Sequence, residues 1–394
     1  MPWFDKSLSR RDWLAVNGRL AAQSVLAGAL VSGGLSARRS VVAAETPSVQ
    51  SVQPFARYAD LLATLKNRGR TWRTLGHAPD GSPLVAVKCG GTKKPAILIS
   101  AGAHATEHAG VVAAVELVER LQTKHEVWVL PTRDPIGLGG FRHALSLGLG
   151  KPPEIASLEE AEALLRREGE VLLDDGGRLV VLIGDYGYAN RGLYGGVKKG
   201  EDFLEPLKGR RLWFPSRAEN QPASGPLERA YTLVVTPDGE VLHLNRFHDT
   251  RWAPIEVRSV RRLMAEIKPG LTFDLHEYGG DALWMSARRQ KTDEDEIWER
   301  RMGTEAIAAV KLDGATLAGD DYNPGGFFER LERGLYWLDP GKRGEGYNLV
   351  DFAAKEYGPG FTIESGMQAP LADRVRRHLV LVQTAVKVFE ERFA

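Results

Sequence analysis

The chain has 394 residues, 43% of them hydrophobic and 26% charged, the balance of a globular protein with a sizeable core. Its 52 basic and 51 acidic side chains leave a net charge of +1, so no global field favours nucleic acid or an anionic membrane as partner. The single cysteine, Cys89, excludes an intramolecular disulfide and a cysteine-based zinc knuckle, so any metal must be held by histidines and carboxylates.

The N-terminal stretch Ser9-Arg10-Arg11-Asp12-Trp13-Leu14 sets paired arginines ahead of a Gly/Ala-rich apolar run at 20–37. This resembles a twin-arginine export signal, an address read by the export machinery. Val42-Ala43-Ala44 supplies small residues for cleavage before Glu45. Glycines interrupt the run, and it barely reaches the length of a bilayer span, so no stable membrane anchor is expected. Residues 1–44 are therefore expected to be a signal peptide and 45–394 the folded protein, periplasmic or extracellular.

Residues 55–66 place Tyr58, Leu61, Leu62 and Leu65 on one face and predict a helix. Strands follow at 71–75 and 84–87, joined by the turn Pro79-Asp80-Gly81-Ser82. The apolar run 96–100 predicts a buried strand, with Ala101-Gly102-Ala103 as a tight exit. From about 107 the period becomes helical, through Val111, Val115, Val118 and Leu121. At that junction stands His104-Ala105-Thr106-Glu107-His108, where an open α/β sheet presents its mouth. A short strand at 127–130 runs into the loop Pro131-Thr132-Arg133-Asp134-Pro135-Ile136-Gly137.

Between about 150 and 230 the α/β rhythm is lost. A helix at 157–168 opens on Ser-Leu-Glu-Glu, a capping start, and 179–183 reads as a strand. We read the region as an elaborated insertion over the site. A hairpin at 231–235 and 240–244 flanks Thr236-Pro237-Asp238-Gly239. A helix at 255–267, a strand at 271–275, a helix at 294–310, a strand at 361–363 and a helix at 371–389 complete the chain. The alternation predicts an α/β fold with a mixed central β-sheet flanked by helices on both faces.

Four separated pieces carry chemistry: His104-x-x-Glu107; Asn245-Arg246 followed by Pro254-Ile255-Glu256; His276 in Asp274-Leu275-His276-Glu277-Tyr278; and Glu364 in Phe361-Thr362-Ile363-Glu364. A carboxylate inside an apolar strand, as at Glu364, is costly unless it is used. Arg246 beside Asp249 and Arg251 also fits a solvated charge cluster. In type and order the four pieces resemble the zinc carboxypeptidases, the family of carboxypeptidase A. The resemblance runs from about Tyr58 to Glu364, apart from the insertion. It implies one zinc ion on His104, Glu107 and His276, with Glu364 as general base, and Asn245, Arg246 and Tyr278 as substrate contacts. Two imidazoles and a carboxylate leave a fourth position open, the arrangement of catalytic zinc. The implied activity is hydrolysis of an amide bond beside a free carboxyl terminus, the substrate being a peptide or an acyl-amino acid.

Three departures stand out. His243 occupies the place of an aspartate that, in the family, orients a zinc histidine. The oxyanion arginine is open among Arg142, Arg211 and Arg217, and the mobile substrate tyrosine between Tyr336 and Tyr347. Alternatives are a deacylase of the aspartoacylase and succinylglutamate desuccinylase group, which shares H-x-x-E, and an inactive peptide-binding protein on the same scaffold. His104-x-x-Glu107-His108 also fits H-x-x-E-H, in which both histidines bind zinc and the glutamate is the base, provided that all five residues lie on one helix.

If Arg10 and Arg11 are a receptor-read address, changing both to Lys strands the precursor in the cytoplasm. Fractionation of cells expressing the double variant checks this, and unchanged export removes the twin-arginine reading.

Overall fold

The computed structural model describes residues 52–394 apart from 217–224, 226 and 344–345. The expected signal at 1–44 and the candidate Arg217 lie outside the described residues. Helix α1 (Tyr58–Asn67) precedes strands β1 (Arg73–His77), β2 (Pro83–Gly90) and β3 (Lys93–Ala101), helix α2 (His108–Arg120) and strand β4 (His125–Leu130). The loop expected after β4 is partly helical, as α3 (Pro135–Gly139). Asp134 caps it by accepting from the Gly137 amide at 2.9 Å, and Pro135 gives up no needed donor in the first turn.

Helices α4 (Phe141–Leu149) and α5 (Leu158–Glu168) lead into strands β5 (Glu170–Asp174), β6 (Leu179–Ile183), β7 (Tyr186–Ala189), β8 (Arg211–Ser216), β9 (Arg229–Val235) and β10 (Val241–His243). The chain then runs through α6 (Ile255–Ile267), β11 (Leu271–Tyr278), β12 (Trp284–Arg288), α7 (Asp293–Leu312), β13 (Phe328–Glu332) and β14 (Leu335–Leu338). Helix α8 (Leu349–Glu356), strand β15 (Gly360–Gly366) and helix α9 (Leu371–Arg392) complete it.

Among the described residues a mixed sheet of nine strands runs β1-β2-β4-β3-β11-β15-β12-β14-β13, with β4, β3, β11 and β15 parallel at its centre. Helices cover both faces, as the alternation predicts. Ile97, Ile99, Leu271, Phe273, Leu275, Phe361 and Ile363 pack against α1, α2, α7 and α9. On the other face Ala96, Leu98, Trp128 and Leu130 pack against Val260, Leu263 and Met264 of α6 and Leu349 and Ala353 of α8. No helix among the described residues is long and apolar enough to cross a membrane.

The region that breaks the rhythm forms a second sheet of six strands, in the order β10-β9-β8-β7-β6-β5. Helices α4 and α5 bury Phe141, Leu145 and Leu165 against one face, with Val181, Tyr188 and Trp213. Phe203, Leu207, Leu212, Phe214 and Leu233 fill the other. This sheet continues past 230: the expected hairpin is its β9–β10 edge, which ends at His243.

Two glycines set the approach to the site. Gly102 leaves β3 with φ +58, and a Cβ there would lie 2.5 Å from Thr132 Oγ1. Gly110, in the first turn of α2, lies against β11, where a Cβ would meet the Leu275 carbonyl oxygen at 2.7 Å. Alanine normally gains about 1 kcal/mol over glycine inside a helix. Overpacking against a rigid backbone costs about 1–3 kcal/mol and wins here. Gly110→Ala is therefore expected to lower the stability measured by denaturant unfolding, and a stabilised variant would show that α2 can lift off the strand.

Candidate metal centre

His104 sits just beyond β3 on the Gly102 turn, and its carbonyl accepts from the Glu107 amide at 3.2 Å. Glu107 immediately precedes α2 with φ −93 and ψ 77, so it is not yet helical. His276 comes from the end of β11. Donor atoms of His104, Glu107 and His276, one from each, all lie within 4.8 Å of one another. His104 Nδ1 stands 2.6 Å from Glu107 Oε1 and His276 Nδ1 stands 2.7 Å from Oε2.

Period-two alternation puts the right atoms on this face. Along β11, Leu271, Phe273 and Leu275 point to the α2 and α9 core, so Asp274 and His276 point the other way. The parallel register pairs His276 with Glu364 of β15, which brings the carboxylate beside the imidazole.

Each imidazole is gripped from behind. His276 Nε2 lies 2.8 Å from Asp274 Oδ2, and Arg133 Nη2 bonds both oxygens of Asp274 at 2.7 and 2.8 Å. His104 Nε2 lies 2.8 Å from His243 Nδ1, so the residue in the place of the family's aspartate supplies the partner itself. Burial first, then the charge of Arg246, holds His243 neutral. Of His104 Nε2 and His243 Nδ1, one carries the proton of the bond and the other accepts it, so His243 holds the outer edge of the His104 ring while Nδ1 of His104 faces Glu107. Tyr231 of β9 stacks on His104 at 5.4 Å, and Phe214 of β8 stacks on Tyr231 at 5.2 Å.

These side chains fit a metal ion. Both Nδ1 atoms face one carboxylate, and both Nε2 atoms are held by outer partners, the arrangement that fixes a ligating tautomer. Burial raises the Glu107 carboxyl, but the His104 and His276 imidazoles overcome it and bring the group to about 2. Burial lowers His276, yet Asp274 and Glu107 on either side lift it well above its ordinary value. Without a metal, a proton on His276 thus fills the space between two carboxylates. A dication suits the same space.

Glu364 is pushed up to about 8, first by burial, with His276 pulling it down and the carboxylates of Glu107 and Asp274 adding to the rise. Arg246 donates from Nη1 to the Asn245 carbonyl at 2.9 Å. Burial lowers it, while Asp351, Tyr231 and Glu364 attract it at longer range. Tyr278 is half-buried in an aromatic cluster, its ring 5.5 Å from Tyr322 and 6.3 Å from Trp284.

Asn245 is employed differently from the expectation. It is 2% exposed, its Nδ2 donates to Asp274 at 3.0 Å, and its Oδ1 accepts from Arg133 and the Leu349 amide at 3.0 and 3.2 Å. Its amide therefore braces the groups behind His276. Arg133 is the member that sequence reasoning passed over. It stands three residues after β4, with its amide on the Ala101 and Gly102 carbonyls at the end of β3, and its signal was a charge in the loop behind a buried strand.

Other candidates are occupied elsewhere. Arg211 Nη2 bonds both oxygens of Glu256 at 2.6 Å, and Arg142 is exposed near the Ile155 carbonyl. Tyr336 is 2% exposed, with its hydroxyl on the Tyr322 carbonyl at 3.0 Å. The Tyr347 ring lies 5.2 Å from Lys355 Nζ. His108 turns to Arg229, 3.4 Å from Nη2, and is not among the clustered donors. With His104 outside the helix, the H-x-x-E-H arrangement does not form.

No family model matches the chain, and no curated protein matches it. Solved structures that match along most of the chain include a metallo-carboxypeptidase from Pseudomonas aeruginosa in complex with (2-guanidinoethylmercapto)succinic acid. It is 14% identical over 86% of this chain and 70% of that one, with a TM-score of 0.45. Bovine thrombin-activatable fibrinolysis inhibitor, in complex with tick carboxypeptidase inhibitor, is 13% identical over 85% of this chain and 96% of that one, at 0.42. A metallo-carboxypeptidase from Burkholderia cenocepacia is 13% identical over 86% and 70%, at 0.41.

The family resemblance gives Glu107 to the metal and Glu364 to the proton, and Glu107 does cluster with His104 and His276, whereas H-x-x-E-H gives Glu107 the proton. Zinc content of purified, folded Glu107→Gln, His108→Ala and Glu364→Gln separates them. The expected order is low, high and high, and high, low and high would overturn the assignment.

Proposed function

We propose that the chain is an exported zinc-dependent hydrolase, a metallocarboxypeptidase that cleaves the amide bond next to a free carboxyl terminus. The observation that carries this reading is the convergence of His104, Glu107 and His276 beside Glu364, with Arg246 within electrostatic range of Glu364. Zinc, when bound by the first three, supplies Lewis acidity that polarises an amide carbonyl and makes water a stronger acid.

The chain's own residues do the rest. Glu364 takes the proton of the attacking water and returns it to the leaving nitrogen, a role suited to a carboxylate in a desolvated site. The Arg246 guanidinium offers paired donors to the terminal carboxylate and sets which bond lies beside Glu364. Asn245, committed to Asp274 and Arg133, holds the His276 side of the site and leaves carboxylate recognition to Arg246.

Arg246→Ala should cost substrates with a free terminus about 2–5 kcal/mol in kcat/KM, the scale of a broken desolvated charge pair. Amidating the substrate terminus should penalise the wild type heavily and the variant little. Equal sensitivity in both would take terminal recognition away from Arg246. Zinc binding with no turnover of any peptide or N-acyl-amino acid would favour a binding protein on this scaffold.

A further inference from the structure

Behind the site, on the opposite face of β11, Glu277 is 3% exposed and is used by neither metal binding nor substrate recognition as described. One of its oxygens, Oε2, accepts from the Ala109 amide in the first turn of α2 at 2.7 Å. The other, Oε1, accepts from Ser365 Oγ at 3.2 Å and pairs with Arg374 Nη1 of α9. Ser365 Oγ in turn lies 3.0 Å from His378 Nε2, on the next turn of α9. With Ser365 donating to Glu277, His378 is the Nε2–H tautomer and donates to Ser365.

The positions of these partners in the chain are what matter. Ala109 is two residues after Glu107. Glu277 is the residue after His276. Ser365 is the residue after Glu364. One buried carboxylate therefore ties together the three separate segments that carry two metal donors and the base. Gly110 permits this, because its missing Cβ lets α2 approach β11 closely enough for the Ala109 amide to reach Glu277. The β11–β15 ladder fixes the strands relative to each other, but no ladder bond joins α2 to either strand. Apolar packing holds α2 on the sheet without fixing its register, and the Ala109–Glu277 bond adds a directional fastening, since the N-terminal amides of a helix favour an anion.

The geometry points to Glu277 as a positioning residue that, backed by Arg374, Ser365 and His378, sets the placement of Glu107 and Glu364 relative to His276. This rests on the metal-site reading above. An outer partner that orients a ligand typically changes metal affinity by about 10–100-fold when removed. A carboxylate that merely filled a core would affect stability and leave the folded site unchanged.

The test uses the full mature chain loaded with cobalt(II), whose visible spectrum reports the arrangement of donors. Glu277→Met combined with Arg374→Met removes the clamp and its counter-charge together, so neither buried ion is left unpaired. This variant should fold by circular dichroism, bind cobalt at least about tenfold more weakly, show shifted absorption bands, and lose kcat with KM little changed, because Arg246 is on a different support. Glu277→Gln keeps the acceptor oxygen and the shape, and should fall between wild type and the double variant on every readout. It also serves if the double variant does not fold. Wild-type cobalt affinity, spectrum and kcat in folded variants overturn the proposal and leave the metal site intact. A wild type that takes up no cobalt overturns the metal reading itself, and the positioning role with it.

Discussion

Buried negative charge governs this molecule. Glu107, Asp274 and Glu364 act on one another in a desolvated region, and carboxylates so placed cannot all stay ionised without cations among them. Asp274 has the fixed guanidinium of Arg133, in a two-oxygen pair shielded from water. Arg246 stands further off, at electrostatic range from Glu364. Glu107 has only two imidazoles, and these are cations only when protonated. Two imidazole nitrogens and a carboxylate turned toward one another form a cluster that either protons on the imidazoles or a divalent ion can balance. The outer histidine, carboxylate and arginine keep the donors from turning away.

The sheet supplies this arrangement cheaply because one strand serves two environments. Along β11 the residues Leu271, Phe273 and Leu275 hold the strand to the helices, and the residues between them face the site. β15 repeats the scheme with Phe361 and Ile363 inward and Thr362 and Glu364 opposite. A slip of one residue in either strand would put an acid into the apolar core, so hydrophobic burial itself enforces the pairing of His276 with Glu364.

That logic also explains what could be read from the sequence. The strands under His104, His276 and Glu364 are apolar runs ending in chemistry-bearing residues, and the eye finds both parts. β12 is missed because Ser286 and Arg288 interrupt its pattern. Arg288 is nevertheless fully buried, with Asp351 at 2.5 Å and Thr362 at 2.9 Å as partners that the linear order conceals. The second sheet hides for a similar reason: β7 is Tyr-Gly-Tyr-Ala and β8 carries Arg211 and Pro215, a composition that resembles a loop. Asn245 had the right neighbours for recognising a carboxylate. Which group its amide meets depends on Arg133 and Asp274, 112 and 29 residues away in the chain.

The two sheets divide the site between them. The nine-stranded sheet carries Asp274, His276 and Glu364, and the turn after its β3 carries His104 and Glu107. The six-stranded sheet and the turn leaving it bring Tyr231, His243, Asn245 and Arg246. The two histidines are consequently held by unlike partners: His276 by a carboxylate, which makes its imidazole a stronger donor, and His104 by a neutral imidazole, which does so less. His104 also takes its aromatic neighbour, Tyr231, from the second sheet. Changes there can therefore alter how firmly His104 is held and how a substrate end is gripped, while the β11–β15 pairing that sets Glu364 beside His276 stays fixed by the apolar core behind it.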